Sequence, residues 1–167
     1  LVGRAQSADD IGIVCAKLVY PDNRLQEAGG IVWQEGVAWN FGNGQDPFNP
    51  EYNYVREVDY CSGAALLVRS EVWRAVGGFD ECYAPGYYED ADLAFAVRAA
   101  GCKLYYQPAC TIVHFEGVTS GTDTGSRANT MPNRLPRVTG TGSSLRRRST
   151  GTNTRRSCGA SPCSSRC

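Results

Sequence analysis

The sequence predicts an α/β fold, with strands and helices alternating around a mixed sheet. Three observations carry this expectation. IGIVCAKLVY (11–20) is a near-continuous apolar run, β-branched at Ile11, Ile13 and Val14, as in a strand buried on both faces. EDADLAFAVRAAG (89–101) places Leu93, Val97 and Ala100 at helical spacing and meets Gly101 where a helix is expected to stop. CKLYYQP (102–108) and CTIVHFEG (110–117) then read as two strands.

The remaining elements follow in chain order. Residues 1–10 are polar and suit the end of a helix. PDNR (21–24) is turn chemistry, and LQEAGGIVW (25–33) is a second extended piece with a bulge or close approach at Gly29 and Gly30. Residues 34–54, rich in Gly, Asn, Pro and Tyr without periodicity, predict a long loop of the functional or mobile kind. VREVDYCSGAALLVR (55–69) returns to β character. Ser70 is the expected cap of a short helix, EVWRAV, which Gly77 and Gly78 end.

With 167 residues, the chain has room for one domain. It begins with leucine and its only methionine is Met131, so we read it as a fragment or processed piece. It contains no apolar run of transmembrane length and no leader-like segment at its start. The zero net charge conceals a division. Residues 1–126 hold all 17 acidic residues against eight basic ones, a net of −9, whereas residues 127–167 hold nine arginines and no acid. We divide the chain into a body, 1–122, and an Arg/Ser/Thr-rich tail, 123–167. The tail has too little apolar surface to offset the cost of ordering and is expected to be disordered. The eight cysteines are scattered, without CxxC pairs or zinc spacing, and suit reduced thiols in a cytosolic chain.

Three features could carry chemistry. The first is the acidic cluster Glu89, Asp90 and Asp92 in the first turn of the 89–101 helix. Acids there complement the helix dipole. They could equally supply a general base, because neighbouring carboxylates lift one another's pKa toward neutrality while the helix terminus pulls the other way. The second is His114, within the β-branched stretch TIVHF, which could be a packed strand residue or a metal ligand. The third is the turn DYCSG (59–63), whose Asp59 and Gly63 mean little by themselves.

Taken together, GGFDECYAPGYYEDADLAFAVRAAGCKLYYQPACTIVHFEG (77–117) resembles the C-terminal half of bacterial family 2 glycosyltransferases. AKLVYPDNRLQEAGGIVW and REVDYCSGAALLVR resemble the segments before it, so the likeness covers about residues 10–122. The resemblance implies a partial GT-A (nucleotide-diphospho-sugar transferase) sandwich around a mixed sheet. It implies inverting transfer of a sugar from a nucleotide-sugar donor to a hydroxyl on a saccharide or lipid-linked acceptor, in synthesis of bacterial surface polysaccharide or glycoconjugates. Asp90 would be the base, and Glu89 would support it or help bind the acceptor. Asp59, Ser62, Gly63 and Tyr88 would line the acceptor cleft, with Asp59 the principal polar contact. His114 would help hold a divalent metal, Mg or Mn, in the complete enzyme. The parent protein would be cytoplasmic, peripheral at the inner face of the membrane, and would not bind nucleic acid.

Two departures set limits. Nothing matches the family's nucleotide-binding strand and aspartate-rich motif; Asp9 and Asp10 lie in a polar stretch with no strand before them. The chain alone is therefore expected to show little or no transfer. The family-like texture also ends near residue 122, and the tail reads either as a frame-shifted C-terminus or as a basic segment for phosphate-rich partners. The competing function is a non-catalytic carbohydrate-binding or interaction module, with Trp33, Trp39, Tyr52, Tyr54, Tyr87 and Tyr88 as stacking candidates. For Trp33 simple core packing is the favoured expectation.

Overall fold

The computed structural model describes residues 1–33, 36–84 and 86–115. The expected tail, the Glu116–Gly117 end of the last strand and the 122/123 boundary lie outside them.

The centre of the fold is the predicted apolar run. Strand β1 (Ile11–Val19) is buried along its whole length, as its unbroken hydrophobicity requires. Its partner along one edge is β7 (Lys103–Val113), which runs parallel to it. Along the other edge it pairs antiparallel with two short strands in succession: β6 (Leu66–Val68) against Ile13–Cys15, and β2 (Leu25–Glu27) against Leu18 and Val19. Strand β5 (Arg56–Glu57) closes the far side, antiparallel to β7. The sheet is thus mixed, as expected.

Two departures from the sequence reading concern β7 and the loop. The two strands expected at 102–108 and 110–117 are one strand with a bulge. Ala16 pairs with Gln107 and the next residue, Lys17, with Thr111, so 108–110 loop out of register. Pro108 cannot donate to the ladder, and a bulge is where a strand tolerates it. Residues 34–54 are not a featureless loop either. Strand β3 (Gly30–Val32) pairs antiparallel with β4 (Ala38–Asn40), and a 3-10 turn covers Pro50–Tyr52. The hairpin has few residues with clear period-2 alternation, which is why pattern reading missed it.

The helices are α1 (Val2–Ala5), α2 (Ser70–Val76) and α3 (Glu89–Ala99). Ser70 is the first residue of α2 rather than its cap; Arg69 holds that position, and the Ser70 hydroxyl donates to Glu71. Helix α2 ends at a left-handed Gly77 as predicted. Helix α3 packs on β1 and β7 and buries Ala91, Leu93, Ala94 and Val97. These join Ile13, Cys15, Leu25, Tyr60, Cys61, Leu104 and Tyr106 in the main core, while Ala5, Ile11 and Val14 form a smaller one. At Gly12 an added Cβ would lie 2.6 Å from Val97 Cγ1, so glycine is what lets α3 approach β1 this closely. No disulfide links the cysteines among the described residues; Cys15, Cys61 and Cys102 are buried thiols.

Candidate functional site

Helix α3 begins abruptly. Tyr87 and Tyr88 both have positive φ, at 80° and 75°, and Tyr88 is the N-cap. Two successive aromatic residues in the left-handed region are strained, and such strain persists only where packing enforces it. Tyr88 packs against the main core. The turn delivers Glu89 and Asp90 to the first turn of the helix.

Asp90 is held by two main-chain amides. Its Oδ2 accepts the Gly63 N–H at 3.0 Å and its Oδ1 accepts the Ala91 N–H at 2.7 Å. Burial pushes its pKa above the ordinary aspartate range; the Gly63 amide opposes this and the Glu89 charge adds to it. The residue as a whole is half-buried. The sequence left open whether neighbouring charge or the helix terminus would win. Burial, not either of them, is the largest influence, and the net direction is upward.

The structure gathers Ser62, Gly63 and Tyr88 around Asp90. Burial and the Asp90 charge together raise the Tyr88 hydroxyl. The Ser62 amide donates to Glu27 Oε1 at 3.1 Å, and the Ser62 hydroxyl accepts the Ala64 N–H at 3.3 Å. Glu89 Oε2 is buried with no hydrogen-bond partner among the described residues. Asp92 turns elsewhere: the Tyr83 hydroxyl donates to its Oδ1 at 3.4 Å.

Glu27 is the residue that sequence reasoning missed. It sits on β2, fully buried, with Oε2 unpartnered among the described residues. Burial, with a smaller contribution from Asp90, pushes its pKa up to about 8. The available signal was a lone acid inside the apolar stretch LQEAGGIVW with no lysine or arginine nearby in that run.

Asp59 has other hydrogen-bond partners. Its Oδ2 accepts the Val32 N–H at 3.0 Å and its Oδ1 pairs with Arg98 at 3.3 Å. Arg98 lies eight residues beyond Asp90, about 12 Å along the helix axis. Asp59 therefore tethers β3 to the distal end of α3.

No family model matches this chain. It is 35% identical over 117 residues to the N-acetylglucosaminyl-diphospho-decaprenol L-rhamnosyltransferase of Mycobacterium tuberculosis, covering 65% of this chain and 36% of that protein. It is 28% identical over 129 residues to the O-antigen biosynthesis protein RfbC of Myxococcus xanthus, covering 74% and 10%. It is 41% identical over 58 residues to the rhamnosyltransferase WbbL of Escherichia coli, covering 35% and 22%. This chain is a relative of bacterial glycosyltransferases. It spans between 10% and 36% of the length of these relatives.

For a glycosyltransferase relative the mixed α/β architecture agrees with part of a GT-A sandwich. The metal expectation concerns the complete enzyme. His114 follows β7, where its N–H donates to the Val19 carbonyl at 3.0 Å and its Nδ1 lies 3.1 Å from Gln26 Oε1. Gln26 and Glu27 are neighbours on β2, so their side chains leave the strand on opposite faces. His114 thus belongs with Gln26, and no hydrogen bond or ion pair joins it to the carboxyls of Glu27, Glu89 or Asp90. Among the described residues no three His, Cys, Asp or Glu side chains cluster to hold a metal. The donor set present does not by itself fit a divalent ion.

The aromatic expectations divide. Tyr52 is buried, and the Tyr106 hydroxyl donates to its carbonyl at 2.8 Å. Trp33 is not a core residue: it is 49% exposed and packs edge-to-face on Trp39, itself 58% exposed, with ring centroids 5.9 Å apart. The β3–β4 hairpin is too small to have an inner face that could enclose an indole.

Proposed function

We propose that this chain supplies the acceptor-side part of an inverting, family 2-type glycosyltransferase domain, with Asp90 as the base. The observation that supports the reading best is the carboxylate of a half-buried aspartate at a helix start, oriented by two main-chain amides and raised in pKa by burial. A base works best when its pKa lies nearer the working pH than that of a free aspartate. Each Asp90 oxygen accepts one amide and retains a further lone pair for a proton.

In this reading the acceptor hydroxyl gives its proton to Asp90 as its oxygen bonds to the anomeric carbon of the donor sugar. The bond from that carbon to the nucleoside diphosphate breaks, the diphosphate carries away the electron pair, and configuration inverts. The Ser62–Gly63 turn and Tyr88 border the acceptor, and Glu89 adds the negative charge that keeps Asp90 basic. The nucleotide-sugar site and any metal would take ligands from outside the described residues, with His114 at most one of them, so transfer by this chain alone should be slight. Among the described residues no helix is long and apolar enough to cross a membrane. The mycobacterial relative's name specifies a diphospho-decaprenol acceptor. A lipid-linked acceptor met at the cytoplasmic membrane face fits the present chain.

Asp90→Asn in the full-length parent tests this. Turnover should fall by at least about 100-fold while acceptor affinity persists. Transfer at the wild-type rate would refute the assignment. The exposed Trp33–Trp39 pair favours a second reading, sugar binding without chemistry. It predicts that Trp39→Ala abolishes saccharide binding and that Asp90→Asn changes nothing.

A further inference from the structure

Glu27 has no place in the transfer chemistry, yet it reaches the same turn as Asp90. Ser62 and Gly63 are consecutive residues, and their amides point to two different carboxyl groups: Ser62 N–H to Glu27 Oε1 at 3.1 Å, Gly63 N–H to Asp90 Oδ2 at 3.0 Å. One comes from β2 and the other from α3. The turn is thus held from the sheet on one side and holds the helix carboxylate on the other.

The surroundings of Glu27 decide its charge. The titratable groups facing it are Asp90 from α3, Tyr60 and Cys61 from the 59–63 segment, and Tyr106 from β7. None is a cation. Arg56, which faces Tyr106, donates to the Ala28 carbonyl and lies 3.9 Å over the Phe41 ring. A fully buried carboxylate with one oxygen unpartnered and no countercharge among the described residues is far costlier than the neutral acid, which still offers its carbonyl oxygen to Ser62.

We propose that Glu27, as a neutral carboxylic acid, is a positioning residue for Asp90: it fixes the Ser62 amide, and so keeps the following Gly63 amide aimed at Asp90 Oδ2. The proposal rests on Asp90 being the base, but its first test does not. In the chain itself, the infrared spectrum near neutral pH should contain a protonated-carboxyl C=O band that Glu27→Gln removes. The Asp90 carboxyl, assigned in the carbon NMR spectrum with Asp90→Asn, should titrate at higher pH in Glu27→Ala, because loosening the turn weakens the Gly63 bond that favours the carboxylate. Glu27→Gln keeps an acceptor for Ser62 and should restore the Asp90 midpoint toward wild type. If Glu27 were instead ionised and merely repelling Asp90, both variants would move that midpoint down.

In the parent enzyme, Glu27→Ala should lower kcat by about 10–100-fold with little change in acceptor KM, and Glu27→Gln should recover most of the loss. Absence of the infrared band, or a downward shift of Asp90 in both variants, overturns the proposal. If Glu27→Ala does not fold, the band and the direction of the Gln shift still decide it. Those two readings need no turnover, so they stand or fall separately from the transferase assignment.

Discussion

The Gly63 amide and the Asp90 carboxylate meet at 3.0 Å across 27 residues of sequence, joining a turn after β5 to the first turn of α3. A Cβ built on Gly63 would lie 3.7 Å from Asp90 Cβ and 4.0 Å from both Asp90 Oδ2 and Phe79 Cζ, an ordinary packing distance. Gly63→Ala should therefore fold normally, with unfolding free energy within about 0.5 kcal/mol of wild type in urea titration. The added methyl stands beside the basic oxygen, so acceptor KM of the parent enzyme should rise. A variant that unfolds instead would show that the turn is under strain.

Glu27 makes stability depend on pH in a direction opposite to most paired carboxylates. Its folded pKa is about 8 against an ordinary 4.5, so folding favours the protonated form. Its stabilising preference is fully present below about pH 4.5 and is lost as pH rises through about 8. Thermal melts should show Tm declining across that window, and Glu27→Gln should flatten the decline. An unchanged slope in the variant would assign the dependence to other groups.

Lys17 anchors the loop that precedes β5. It is a buried lysine on β1, its Nζ donates to the Pro47 carbonyl at 2.9 Å and to Asn53 Oδ1, and burial lowers its pKa. Lys17→Met keeps the aliphatic stem but leaves those acceptors without their cation. Stability should fall by about 1–3 kcal/mol, measured by urea unfolding.

Gly30 carries a steric prediction. It bridges Tyr60, and a Cβ there would fall 2.0 Å from the Tyr60 ring. Gly30→Ala must displace that ring, whose hydroxyl donates to Asn40 at 2.7 Å. A loss of about 1–3 kcal/mol is expected, together with altered near-ultraviolet dichroism from the tyrosine.

The elements that bury a continuous apolar stripe were legible in the sequence. β1 is one unbroken hydrophobic run, and α3 shows Leu93 and Val97 one turn apart with Gly101 beyond them, at φ 84°. What failed to show was pairing. Whether 103–113 is one strand or two depends on a bulge at Pro108 that only β1 reveals, and the β3–β4 hairpin consists of three-residue strands. In the site, the Asp90 cluster was visible because its acids are adjacent in sequence. Glu27 was not, because its meaning comes from Ser62, 35 residues away. Asp59 was assigned to the cleft through the family resemblance; nothing in the sequence signals that its carboxylate meets Arg98, 39 residues on, and the Val32 amide.

The parallel ladder between β1 and β7 has a consequence for how the molecule comes into being. The two strands are about ninety residues apart in the chain, and the main core lies against their union. Within the described residues, β1 has only the short strands β2 and β6 to pair with until β7 has been made. Folding should accordingly be slow and steeply sensitive to truncation before residue 113. In that interval the exposed edge of 11–19 is the segment most in need of protection from association with other chains.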